Sequence, residues 1–187
     1  MSEIVLEAKK ALRALVLRNR SELLAKETED AFANCLIELS TQRRLQKIGC
    51  YLSFGSEPAT GSFVSLAGSF GITIYCPRVE EDGQMVMAAL GTKTSVHKLG
   101  FREPDGEVIH PDELGLIIVP ALAIDFAGKR LGRGAGFFDR YLMNYKGPTV
   151  GLVFDSEFIK TVPSLTHDQP VSQVVTQSRT ISIPFDP

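Results

Sequence analysis

Residues 116–140 read LIIVPALAIDFAGKRLGRGAGFFDR. Residues 116–124 are apolar throughout, the pattern of a strand covered on both faces in an α/β protein. The wider apolar run, 114–124, is only 11 residues long and is interrupted by Pro120. A membrane helix needs about 20 residues, so a buried central strand is the better reading. Glycines follow at 128, 132, 134 and 136, with cations at 129, 130 and 133. Residues 137–145, FFDRYLMNY, then read as the start of a helix. The local order is strand, glycine-rich loop, helix.

The same alternation extends outward in both directions. Upstream, IGCYLSF (48–54), ITIYCPRV (72–79) and MVMAAL (85–90) are strand candidates, with a short helix at 60–67. Residues 91–113 are polar and turn-rich. Downstream, PTVGLVF (148–154) and VSQVVTQ (171–177) read as strands, and an extended tail ends in PFDP. Two helices are expected at 3–20 and 21–43, lying over a sheet edge or face. Ser21 can cap the second, Leu24 precludes a capping box, and Glu22 suits the first turn by its charge. Phe32, Cys35, Leu36 and Leu39 form that helix's apolar stripe. The pattern predicts an α/β protein: a single three-layer α/β/α domain over 1–187 with a mostly parallel, Rossmann-like central sheet.

Size and composition agree. A chain of 187 residues and 20.5 kDa buries roughly 70% of its extended surface on folding, enough for one core. A net charge of -2 excludes a broadly basic surface for nucleic acid or anionic membrane. Cys35, Cys50 and Cys76 are odd in number and contain no CxxC pair. They read as buried small hydrophobes in a reducing compartment, not as a zinc cluster or disulfide framework. The start, MSEIVLEAKK, lacks the apolar core of a secretory signal. A cytoplasmic monomer is expected, with no nucleic-acid or membrane partner.

The densest chemistry is at 125–140. Closely spaced glycines let successive N–H groups turn around an anion, and Lys129, Arg130 and Arg133 supply countercharge. This outlines a phosphate cradle. It is not a Walker loop, which needs Gly-Lys-Ser/Thr, nor the dinucleotide fingerprint, because Phe137 stands where the last glycine belongs. The bland reading is a tight surface loop with solvated cations. Asp139 can hold Mg2+ beside a polyphosphate or simply favour a helix start. Asp168 is a second candidate carboxylate. Asp125 is expected to brace the loop by accepting backbone hydrogen bonds. Lys9 and Arg13 share one helix face, Glu57 follows the first strand, and His97, His110 and His167 have no metal-ligand spacing.

Taken in order, KKALR, SFGSEPAT, CPRV, FREPDG, IIVPALAIDFAGKRLGRGAGFFDRYL, VGLVF and VPSLTHDQP resemble the 5-formyltetrahydrofolate cyclo-ligase family over about residues 9–178. The resemblance implies closure of the N5-formyl group of 5-formyltetrahydrofolate onto N10, with ATP and Mg2+, giving 5,10-methenyltetrahydrofolate, ADP and phosphate. It implies that Lys9, Arg13 and the run Lys129, Arg130, Leu131, Gly132, Arg133, Gly134, Ala135, Gly136 and Phe137 hold ATP. Lys129 and Arg130 are expected to act on the transferring phosphoryl group. Phe54, Glu57, Phe101, Glu103 and Phe138 are expected to hold the folate, polyglutamylated or not. Asp139 and Asp168 are expected to hold magnesium.

The chain departs from the family pattern at Phe138 (usually Tyr), Ala135 (usually Gly), Ile124 (usually Phe), and Ser172 and Gln177 (both usually acidic). These departures leave open a non-catalytic folate- or nucleotide-binding protein on the same scaffold. A sugar-phosphate-binding α/β protein is a further alternative, although no paired His or Glu base lies beside the loop in sequence.

Overall fold

A computed structural model describes residues 2–184. The chain opens with α1 (Ser2–Asn19), α2 (Glu22–Glu27) and α3 (Glu29–Gln42). The one helix expected over 21–43 is two, broken at Thr28, whose φ of -101° and ψ of 1° interrupt the helical path. The Thr28 hydroxyl donates to the Leu24 carbonyl at 2.8 Å, offering the backbone a local alternative to a continuing turn. Ser21 caps α2 as expected, accepting from Leu24 N–H at 3.1 Å.

The remaining elements are β1 (Lys47–Cys50), α4 (Gly61–Ala67), β2 (Thr73–Val79), β3 (Met85–Ala89), β4 (Thr94–Val96), β5 (Arg102–Pro104), β6 (Val108–Ile109), β7 (Leu116–Pro120), β8 (Ala123–Asp125), β9 (Arg130–Leu131), α5 (Phe137–Leu142), β10 (Thr149–Leu152), β11 (Phe158–Ile159), β12 (Gln173–Val175) and β13 (Thr180–Ser182). The turn-rich segment 91–113 therefore carries a small hairpin, β4–β5, and an edge strand, β6. The tail expected to end in PFDP pairs through β13; its residues 185–187 lie outside the described residues.

The main sheet runs β13-β12-β10-β7-β1-β2-β3-β6. Its centre, β12-β10-β7-β1-β2, is parallel, and both margins are antiparallel. Alternation sends Ile48, Cys50, Leu116, Ile118, Val150 and Leu152 to one face, under Phe32, Leu36 and Leu39 of α3 and Phe63 of α4. Ile117, Val119 and Val174 face the other side, with Leu142 of α5, Tyr145 and Ile124. Helices thus lie on both faces of a mostly parallel sheet, although the second face is also covered by β8 and loops. Cys50 and Cys76 are core residues and Cys35 is half-buried, all three as free thiols. No described helix is long and apolar enough to cross a membrane.

The run 116–124 is not one strand. β7 is central, but the chain leaves the sheet after Pro120, and β8 joins a separate three-stranded sheet with β11 and β9. Leu122 and Ala123 pack with Val16 of α1, while Ile124 turns back onto the second face. Both halves are buried, so the sequence is apolar across the break.

Asp125 ends β8 and ties the next loop. Its Oδ1 accepts from the N–H groups of Ala127 (2.9 Å) and Lys129 (3.0 Å), and Oδ2 accepts from Val162 N–H at 3.0 Å. The bracing role expected for it is the one observed. Gly128 inside this loop has a φ of +77° and abuts the Val171 carbonyl oxygen, where a Cβ would collide. Gly128→Ala is expected to cost about 2–4 kcal/mol from backbone strain and overlap, read as a lower urea midpoint. A shift within the ±0.5 kcal/mol of about any surface substitution would contradict this.

Candidate active site

In open α/β sheets, ligands bind beyond the carboxyl ends of the strands where the strand order reverses. Here that point lies between β1 and β7. The segments leaving them, through Tyr51, Leu52, Phe54 and Glu57, and Pro120, Ala121 and Leu122, line a cavity of about 820 Å³. Its wall is completed by α1, β2 and β3, the segment 99–102, the glycine loop, α5, and the loop carrying Leu165, His167 and Asp168.

α1 crosses this end of the sheet, held at two points along it and a third at Arg20, immediately after its last residue. Lys9, buried, donates to both carboxylate oxygens of Asp168, at 2.7 and 2.5 Å. One turn on, Arg13 Nε donates to the Gly132 carbonyl at 2.9 Å. Arg20 donates to both oxygens of Glu157, at 2.6 and 2.7 Å, and to the Ala121 carbonyl at 2.6 Å. Burial would push the Asp168 carboxyl up, but the Lys9 ammonium and the Leu165 N–H together hold it below its ordinary value.

Arg130 lies on the two-residue β9, its side chain only 2% exposed. It donates to Asp139 Oδ1 at 2.7 Å, and its Nε is buried without a partner. Burial lowers its affinity for the proton, opposed by the charges of Asp139 and Asp168. Asp139 also accepts from Gln169 N–H at 3.1 Å. Gly134 and Gly136, with φ of +114° and +71°, turn the loop into α5. Arg133 reaches across to Glu57, Nε to Oε1 at 2.7 Å, and stacks 4.6 Å over the Phe54 ring. Phe54 in turn lies 6.4 Å from Phe101.

Six cations line the cavity, Lys9, Arg13, Arg102, Arg130, Arg133 and Arg140, against three carboxylates, Glu57, Asp139 and Asp168. A chain of net charge -2 thus concentrates positive charge in one cleft, with aromatic and aliphatic surface beside it. This combination suits a polyanion together with a flat, largely apolar ring.

A family model described as the 5-formyltetrahydrofolate cyclo-ligase family matches residues 5–177. The chain belongs to that family. A 5-formyltetrahydrofolate cyclo-ligase of Mycolicibacterium smegmatis is 30% identical over 189 residues, covering 93% of this chain and 96% of that protein. One of Mus musculus is 28% identical, covering 90% and 89%. The NMR structure of Aquifex aeolicus 5,10-methenyltetrahydrofolate synthetase superposes with a TM-score of 0.82 at 26% identity, covering 96% of this chain and 94% of that one.

Within this cyclo-ligase framework, most of the residues singled out in sequence meet at the cavity: Lys9, Arg13, Phe54, Glu57, Phe101, Arg130, Gly132, Arg133, Gly134, Ala135, Gly136, Phe137, Phe138, Asp139 and Asp168. Three do not line it. Lys129 is exposed to solvent outside the cavity, because the Asp125 brace fixes only its backbone. Leu131 is fully buried against Val16 and Leu122. Glu103 accepts from Val79 N–H at 2.8 Å and joins the β5 segment to β2.

The cavity also contains Arg102, in the Phe101–Pro104 neighbourhood that the family resemblance assigns to the folate pocket, and Arg140 and His167, which sequence reasoning did not place there. Arg140 was within reach of the pattern, since it lies three residues after Phe137 and shares its helix face. Its guanidinium is 5.2 Å from the Phe137 ring centroid.

The departures from the family pattern are mild in this setting. Ala135 keeps an ordinary negative φ, and only its flanking glycines adopt the left-handed region. Phe138 lines the cavity and packs against both core clusters. Ser172 exchanges hydrogen bonds with Thr149 at the β10–β12 margin, and Gln177 accepts from Asp155 N–H at 3.1 Å. Neither lines the cavity.

Proposed function

We propose that the chain converts 5-formyltetrahydrofolate to 5,10-methenyltetrahydrofolate, with ATP as phosphoryl donor and release of ADP and phosphate. The observation that carries this reading is the single cavity in which an excess of cations, including the buried and under-bonded Arg130, adjoins Phe54, Phe101 and Phe138. In the proposal, Lys9, Arg13, Arg130, Arg133 and the glycine loop take the phosphates. The aromatic side and Glu57 take the folate.

The formyl oxygen is a poor leaving group until it is phosphorylated. Transfer of the γ-phosphoryl group forms the new O–P bond and breaks the bond to ADP. N10 then attacks the formyl carbon and gives up its proton to the phosphate group or solvent, and cleavage of the C–O bond expels phosphate to leave the methenyl bridge. Charge spreads over the transferring oxygens, so the protein's contribution is positioning and electrostatic stabilisation. Arg130 supplies a fork of donors in a site shielded from water, where each is worth more than in solvent.

Asp139 and Asp168 offer the hard oxygen ligands Mg2+ prefers. Mg2+ beside a polyphosphate is commonly held by one or two carboxylates plus phosphate oxygens, so two carboxylates suffice. Each carboxylate is engaged by a cation, Asp139 by Arg130 and Asp168 by Lys9. When bound, the ion would neutralise charge on the phosphates.

Mixing the protein with ATP, Mg2+ and 5-formyltetrahydrofolate is expected to produce the methenyl chromophore, and omission of either ATP or Mg2+ to abolish it. Tight folate binding without product would leave only a binding protein on this scaffold. In the same assay Asp139→Asn is expected to raise the Mg2+ needed for half-maximal turnover by about tenfold or more, the scale of losing one charged ligand interaction. Normal turnover at limiting Mg2+ would remove Asp139 from the metal role.

A further inference from the structure

Arg133 belongs to the glycine loop but is held by the other side of the cavity. Its Nε pairs with Glu57 at 2.7 Å, and its guanidinium lies over Phe54. The two partners differ sharply in freedom. The Glu57 side chain is 4% exposed, while that of Arg133 is 37% exposed. Glu57 also accepts from Phe54 N–H at 3.2 Å, so its carboxylate is fixed to its own loop. Arg133 is the one cation within ion-pair distance of it among the described residues. Burial pushes the Glu57 carboxyl up, and Arg133 offsets part of that.

We propose that the Glu57–Arg133 pair is a latch that makes the binding of a nucleoside triphosphate and of the reduced folate mutually dependent. The proposal rests on the placement of polyphosphate at the glycine loop and folate at the Phe54 side. Phosphates entering the loop compete with Glu57 for Arg133. If they take it, a buried carboxylate is left without its cation, which is costly. A reduced pterin ring carries amino and ring N–H donors. Placed against Glu57, such donors replace the lost guanidinium and remove that cost. Either ligand therefore strengthens the other, by the same factor in both directions. The latch also disfavours occupation of the loop by ATP when no reduced folate is bound.

Calorimetric titration of the full chain with a non-hydrolysable ATP analogue and Mg2+, with and without saturating 5-formyltetrahydrofolate, tests this. The analogue is expected to bind about tenfold more tightly with folate present, within the usual range of coupling between sites. Glu57→Gln keeps an acceptor for Phe54 N–H but releases Arg133. In that variant the analogue alone is expected to bind more tightly than it does to the wild type, and the dependence on folate to fall towards onefold. A merely structural defect would weaken nucleotide binding instead. Arg133→Gln is expected to bind the analogue weakly with or without folate. Equal wild-type affinities in the two conditions overturn the latch and leave the functional reading standing, as does a Glu57→Gln variant that binds the analogue no more tightly. Absence of any nucleotide binding by the wild type overturns both.

Discussion

Arg130→Ala is expected to lower turnover by about 10²–10³-fold, the loss that follows removal of one donor aimed at developing charge. Dependence on ATP should worsen, while folate affinity should hold, because Arg130 meets Asp139 and not the Phe54 side of the cavity. Loss of fold does not account for such a result. Asp139 is 23% exposed and keeps the Gln169 N–H, so it can rehydrate when its partner goes. Arg130→Lys preserves charge but not the planar fork, and should recover only part of the rate. Steady-state kinetics with ATP varied at saturating folate decide the matter. An alanine variant with unchanged ATP dependence would dismiss Arg130 from the phosphates.

Glu157→Ala is expected to produce the largest loss of stability, about 3–5 kcal/mol, because it strands a buried guanidinium. Arg20 is 1% exposed in its side chain and Glu157 7%. Arg20 Nη1 already lacks a partner among the described residues, so the two lost hydrogen bonds have no ready replacement. The double substitution Arg20→Met, Glu157→Leu should regain much of that loss, since two apolar groups need no partners. Urea unfolding of the wild type, the single variant and the double variant measures both effects. A single-variant cost below about 1 kcal/mol, the scale of an exposed pair, would show that water reaches Arg20.

Much of this architecture was legible in sequence because a parallel sheet buries both faces and writes continuous apolar runs. That same property hid the step between β7 and β8. Residues 121–124 are as apolar as 116–119, but they face α1 and the far side of the sheet, and composition does not record direction. Thr28 was equally quiet, since threonine is not a strong breaker and acts here through one hydroxyl. In the cavity, clustering in sequence found the glycine loop, and the brace role of Asp125 followed from its place at a strand end. Lys129 shows the limit of that reasoning. Its neighbour Arg130 is buried in the cavity while Lys129 faces solvent, a difference of one residue set by tertiary packing. His167 carries no local signal that places it beside the loop.

The three anchors of α1 bear on the order in which the molecule folds. Lys9 meets a partner 159 residues further along, Arg13 one 119 residues along, and Arg20 partners 101 and 137 residues along. Contacts of such range close slowly. The folding chain can therefore build the β1–β2 half of its sheet under α3 and α4 while α1 waits undocked. The cation-lined wall of the cleft is completed only when the HDQP segment docks on Lys9, so assembly of the cleft waits on one of the longest-range contacts in the chain.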